Sequence, residues 1–114
     1  MTEQRGAKRC KVQISAECES LGYPQISCPV KILNVNPGGF SVLSQYAFEK
    51  GQQLDIHFYT TPKEQLLFKT KVIYCRENRV SRQCVIGVKV LECSVPSRKI
   101  FDSFYDQLLT ASGN

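Results

Sequence analysis

Residues 10–18 read Cys-Lys-Val-Gln-Ile-Ser-Ala-Glu-Cys, and this stretch decides the fold class. Cys10, Val12, Ile14, Ala16 and Cys18 are small or apolar, while Lys11, Gln13, Ser15 and Glu17 between them are polar. A period of two marks a strand with one buried face. The same signature recurs downstream. Ile26, Cys28, Val30 and Ile32 form a second run behind a Gly22-Tyr23-Pro24 turn, and Leu33 and Val35 break its alternation as it nears Asn34-Val35-Asn36-Pro37-Gly38-Gly39. That segment is the strongest turn signal in the chain. Phe40 to Ser44 is a short third strand. Leu54, Ile56 and Phe58 set a fourth, Leu66, Phe68, Thr70, Val72 and Tyr74 a fifth, and Cys84, Ile86, Val88 and Val90 a sixth.

Six one-faced strands must bury their apolar side, and a sheet closed on itself does so without leaving edges. The pattern therefore predicts a mainly β fold, a six-stranded antiparallel β-barrel. The period then changes. Ile100, Phe101, Phe104, Tyr105, Leu108 and Leu109 recur at helical spacing after Pro96 and Ser97, which predicts an amphipathic C-terminal α-helix over 96–110, packed on its own barrel mouth. The chain is 114 residues long, the size of one domain: a flexible arm over 1–9, a barrel over 10–93 and the helix.

Composition narrows the function classes. No apolar run approaches the roughly 20 residues of a membrane span, and the polar, basic start from Met1 to Lys11 lacks the apolar stretch of a secretory signal. A cytoplasmic chain is expected, with its six cysteines reduced. Their spacing contains no C-x-x-C pair and His57 is the only histidine, so no metal is expected. His57 lies between Ile56 and Phe58 without a nucleophile partner, and there is no carboxylate pair. An enzyme is not expected. Of the cysteines, only Cys75 takes an outward parity.

The net charge of +5 is unevenly spread. Arg5, Lys8, Arg9 and Lys11 gather at the start, and Lys69, Lys71, Arg76, Arg79, Arg82 and Lys89 form a second group. Both suit an anionic partner. Arg5-x-x-x-Arg9 offers two planar forks that can bond phosphate or the O6 and N7 edge of guanine, and can stack on a purine. Asn34-x-Asn36-x-x-Gly39, at a strand end, offers short amides to a base edge or to its own turn, with Gly38 and Gly39 free to take positive φ and admit a ligand close to the main chain.

These two motifs, at this separation and with six strands and a closing helix, resemble the PilZ domain family from about Glu3 to Leu109. Gly87-Val88 matches the family's Gly-Val step in the sixth strand. One position departs, because Asn36 stands where the family carries serine. The resemblance implies a receptor for the bacterial messenger cyclic di-GMP with no cofactor and no catalytic step. It further implies that Arg5 and Arg9 contact phosphate and guanine and stack on the bases, and that Asn34 and Asn36 bond the guanine edge. Gly38 and Gly39 would keep the turn open, and Lys71 or Arg76 would add charge. Ordering of the arm on binding would then be read by a protein partner in motility, exopolysaccharide or biofilm machinery. The alternative is an adaptor of the same fold that has lost the nucleotide and works through protein contacts, against which the intact arginines argue. A binder of single-stranded nucleic acid needs a row of exposed aromatics. Only Tyr59 takes an outward parity, while Phe58, Phe68 and Tyr74 take inward ones, so no DNA is expected.

Overall fold

The computed structural model describes residues 8–22 and 25–111. Strands β1 (Cys10–Ser20), β2 (Ser27–Asn36), β3 (Gly39–Ser44), β4 (Gln53–Thr61), β5 (Glu64–Asn78) and β6 (Gln83–Cys93) precede one helix, α1 (Val95–Ala111). The strands pair antiparallel into a closed barrel in the order β1-β2-β3-β6-β5-β4, as the alternation predicts. Pairing of Ala16 with Phe58 and of Cys18 with Ile56 joins β1 to β4 and removes the last free edge. No helix among the described residues is long and apolar enough to cross a membrane.

The interior is filled by the inward residues of the alternating runs, with Ile32, Val42, Leu54, Ile56, Phe58, Leu66, Val72 and Ile86 all buried. Thr70, a polar residue in this core, donates its hydroxyl to the Leu54 carbonyl at 2.8 Å, so its burial leaves no unmet bond. Phe40, Phe58, Phe68 and Phe101 form one aromatic cluster, with centroid separations from 5.2 to 6.4 Å. Phe101 comes from α1, and it stoppers the barrel mouth. The cysteines pack as small apolar residues: all six are free, and burial pushes the Cys18 thiol up to about 12, where it stays protonated.

Helix α1 starts earlier than Pro96. The Ser94 hydroxyl accepts the Ser97 N–H at 3.1 Å, so Ser94 is the N-cap and Pro96 sits in the first turn, where a missing N–H costs nothing. Ser97 in turn accepts the Leu67 N–H and ties the helix to β5.

Of the register shifts in the barrel, two matter for the site. In β2 the partners of Ile32 and Asn34 are the adjacent β3 residues Val42 and Ser41, so Leu33 is an extra residue, a β-bulge. The inward parity flips there. Val35 is fully buried, and Asn34 and Asn36 remain in the strand facing outward, so the true turn is only Pro37-Gly38. In β5, Val72 and Tyr74 pair with the adjacent residues Val88 and Gly87, which makes Ile73 extra. Tyr74 consequently leaves the inward row and Cys75 joins it, packing against the core beside Cys84. Both residues reverse the orientation expected from alternation alone, since one inserted residue inverts every later side chain on a strand.

Removing the aromatic stopper tests the packing account. Phe101→Ala is expected to lower unfolding free energy by about 3–5 kcal/mol, the usual cost of an emptied aromatic site, measured by urea denaturation.

Candidate functional site

The outward residues beyond the two bulges fall into two lateral rows. The β-register aligns Lys11, Asn34, Ser41, Gly87 and Tyr74 across β1, β2, β3, β6 and β5. One step along, it aligns Asn36, Gly39, Lys89 and Lys71. Above these rows lies an open cleft of about 530 Å³, with Arg9, Asn34, Asn36, Gly39, Tyr74 and Lys89 in its walls. Arg9 and the strand-end motif are far apart in sequence, yet the pairing of β1 with β2 brings them together.

Each wall has a local cause. Asn36 Oδ1 accepts the N–H groups of Gly38 and Gly39 at 2.8 and 2.9 Å, an Asx turn that leaves its NH2 as a donor. No hydrogen bond from the Asn34 side chain appears among the described residues. Gly38 and Gly39 do not adopt positive φ; Gly22 and Gly51 do, with Arg82 the one described non-glycine residue. Gly39 is required for a different reason. A Cβ there would come within 2.1 Å of the Val88 carbonyl oxygen, so only glycine lets β3 approach β6 this closely.

Gly87 has a comparable role. A Cβ at 87 would lie 2.1 Å from the Tyr74 ring, so the ring rests directly on the bare backbone of β6. From there the phenol reaches Ser41 Oγ at 3.0 Å, two strands away. The Arg76 guanidinium lies 4.9 Å from the Tyr74 ring centroid, a cation–π contact. Burial opposes ionisation of Tyr74, but hydrogen bonds from Ser41, Arg76 and Arg9 and the charge of Arg9 outweigh it and hold the phenol below the ordinary tyrosine range.

Of the residues singled out from the sequence, Arg9, Asn34, Asn36, Gly38 and Gly39 all line the cleft. Arg76 sits behind it on the Tyr74 ring. Lys71 pairs with Lys89 in the second row but lies outside the cleft wall, whereas Lys89 is in it. Arg5 lies outside the described residues. The wall residues that sequence reading did not assign to the site include Ser41, Ile73, Tyr74 and Lys89. Lys89 carried a legible signal, an outward lysine two residues beyond Gly87.

Two bonds connect the site to α1. Arg98 donates to the Pro37 carbonyl at 3.0 Å while paired with Asp102, and the Tyr105 hydroxyl donates to the Lys8 carbonyl next to Arg9. A second cleft, of about 420 Å³, has walls that include Glu19, Asp55, His57, Leu67, Lys69 and Glu92. Its three carboxylates against one lysine make it unsuited to an anion. The first cleft carries Arg9 and Lys89 with no acidic wall residue, and it attracts one.

The seat of the Tyr74 ring is open to test. Gly87→Ala is expected to destabilise the fold by about 1–3 kcal/mol through overpacking, and a Tyr74→Ala background should abolish most of that cost. Urea denaturation of the double-mutant cycle reads the coupling.

The model of the PilZ domain family matches residues 3–107. Among solved structures, the chain superposes on the Bacillus subtilis inhibitor of motility MotI/DgrA with a TM-score of 0.77 at 13% identity, covering 99% of this chain. It spans only 55% of that protein's length. The PilZ domain of YcgR from Escherichia coli, solved with c-di-GMP, gives a TM-score of 0.71 at 12% identity, covering 96% of this chain and 95% of that one. No curated protein matches the sequence. At these identities the structural likenesses establish the barrel, and the family match over nearly the whole chain establishes its kinship: the chain belongs to the PilZ domain family.

Proposed function

We propose that this chain is a non-catalytic receptor that binds cyclic di-GMP in the cleft between Arg9 and the β2–β3 turn. One observation carries the reading: Arg9 and the Asn34-x-Asn36-x-x-Gly39 segment, 25 or more residues apart, converge on a single basic cleft. The chemistry of its walls suits a guanine nucleotide. Arg9 supplies a donor fork for phosphate or for guanine O6 and N7. Asn36, with its oxygen held by the turn, keeps only donors, which guanine O6 and N7 accept. Asn34 keeps both donor and acceptor for the remaining edge, and Lys89 adds charge for phosphate. Arg5 joins from the arm, Arg76 lends charge through the Tyr74 ring, and Lys71 contributes only to the field around the cleft. The YcgR domain solved with the same ligand supports this choice.

The output is conformational. Both ligand-holding segments are bonded to α1, through Arg98 to Pro37 and through Tyr105 to Lys8. A ligand that draws Arg9 and the turn together changes the strain on these bonds, and a partner protein reads the helix or the arm beside it. Likeness to an inhibitor of motility favours a partner in the motility machinery, with exopolysaccharide or biofilm machinery as the other candidates, in the bacterial cytoplasm.

Calorimetric titration with cyclic di-GMP tests the reading, with GTP and cyclic di-AMP as controls. Saturable binding selective for cyclic di-GMP is expected. Arg9→Ala should weaken it about 10–100-fold, as expected for the loss of a charged hydrogen-bonding group, with an unchanged melting temperature. Asn36→Ser should retain binding, because a hydroxyl can replace the amide oxygen in the turn. No binding by the wild type, or full binding by Arg9→Ala, would contradict the assignment.

A further inference from the structure

The β5–β6 hairpin ends in a four-residue turn, Arg79-Val80-Ser81-Arg82, that lines neither cleft. β4 pairs with β5 only as far as Lys71 and β3 with β6 only as far as Cys84, so the turn projects past both neighbouring strands. Val80 stands at its apex with 95% of its surface exposed, the most of any large apolar residue described. Arg79 and Arg82 flank it, and Arg76 is exposed on the strand leading to it. Glu77 is the only acidic residue from 65 to 91. Among the described residues the one ion pair joins Arg98 to Asp102, so no carboxylate holds these arginines. The turn itself is fixed. Asn78 Oδ1 accepts the N–H groups of Val80 and Ser81 at 2.9 and 3.0 Å, and the Asn78 carbonyl accepts the Arg82 N–H at 2.8 Å. Arg82 has a φ of 60°, a left-handed backbone that glycine or asparagine adopts at lower cost. An arginine at such a position points to a use for its side chain.

We propose that this turn docks the domain on an anionic phospholipid surface, with Val80 entering the headgroup region, Arg79 and Arg82 pairing with lipid phosphates beside it, and Arg76 adding to the field. Shape and chemistry favour a bilayer over other anionic partners. A projecting turn cannot surround a small anion. An apolar apex gains nothing on a nucleic-acid backbone, and the turn has no aromatic residue to stack on a base. Cations on both sides of an apolar apex match an anionic bilayer, whose phosphates lie just outside its acyl boundary. So few groups give a weak, reversible attachment. The proposal stands apart from what the basic cleft binds, although the two regions meet at Arg76, whose guanidinium rests on the Tyr74 ring in the cleft wall.

Sedimentation with sucrose-loaded vesicles at millimolar lipid tests the proposal. The protein is expected to pellet with vesicles of equal parts phosphatidylcholine and phosphatidylglycerol, to stay in solution with phosphatidylcholine alone, and to be released by high salt. Arg79→Gln and Arg82→Asn should each weaken the partition about fivefold, the usual effect of one basic residue at such a surface. Arg82→Asn should do so without lowering the melting temperature, since asparagine suits the left-handed turn. Lys63→Gln removes a charge at the opposite end of β5 and should leave the partition unchanged. The chain has no tryptophan, so Val80→Trp supplies a probe free of background. Its fluorescence should shift to the blue on the mixed vesicles, whereas that of Leu67→Trp, on the acidic cleft, should not. No pelleting with the mixed vesicles, pelleting undiminished in both arginine variants, or an unshifted Val80→Trp spectrum on vesicle-bound protein would each overturn the proposal. Capture by poly-glutamate beads that is lost in the arginine variants, with no pelleting on vesicles, would assign the turn to an acidic protein face instead.

Discussion

The single extra residues in β2 and β5 are the constraint on which the site depends. A closed barrel presents alternate side chains to core and solvent, so the face of each residue is set by counting from any other on its strand. Continuing the inward parity of Cys28, Val30 and Ile32 would drive Asn34 and Asn36 into the core, where their amides would lack partners. The bulge at Leu33 sends Val35 inward instead and turns both amides out. The bulge at Ile73 does the same on the far wall, exchanging Tyr74 for Cys75. Both slips lie at the same end of the barrel. They convert a plain outer surface into a floor of polar groups without opening the core beneath it.

Two glycines then set the shape of that floor. At Gly39 the backbone of β3 meets the Val88 carbonyl, and at Gly87 the Tyr74 ring lies where a side chain would stand. Neither glycine is there for a left-handed turn. Each removes a Cβ from a place where another group must pass, which is the other physical use of glycine. The aromatic cluster completes the arrangement from within. Phe40 follows Gly39 in β3 and packs on Phe101 of α1, so the residues that hold the turn also hold the helix. Together with the bonds from Arg98 and Tyr105, this makes α1 the element most directly connected to the cleft.

Much of this was legible in the residues. The period of two gave six strands and nearly all of the core, and the change of period gave the helix. Arg9, Asn34, Asn36, Gly38 and Gly39 were identifiable as a set because their chemistry matches a two-part motif, and they share one cleft. Tyr74 and Ser41 were not legible. Tyr74 occupies an inward position in an unbroken count, and nothing in Val72-Ile73-Tyr74-Cys75 marks where the register slips. Ser41 reads as an ordinary strand residue until the register sets it beside Gly87 and Asn34. The Asx turn at Asn36 was foreseen as one of two roles for that amide. In the fold its oxygen serves the turn, which leaves its donors to serve a ligand. The helix, expected from Pro96, begins at Val95 with Ser94 as its cap, because proline suits the first turn itself.

The central claim is that the two outward rows beyond the bulges form the nucleotide site. Mapping amide chemical-shift changes on the nitrogen-15-labelled protein during addition of cyclic di-GMP tests it most directly. The account predicts saturable changes concentrated at Arg9, Asn34, Asn36, Gly38 to Ser41, Tyr74, Gly87 and Lys89, with residues Glu19, Asp55 and Glu92 of the acidic cleft unmoved. Changes centred on the acidic cleft, or no saturable change at any amide, would contradict it.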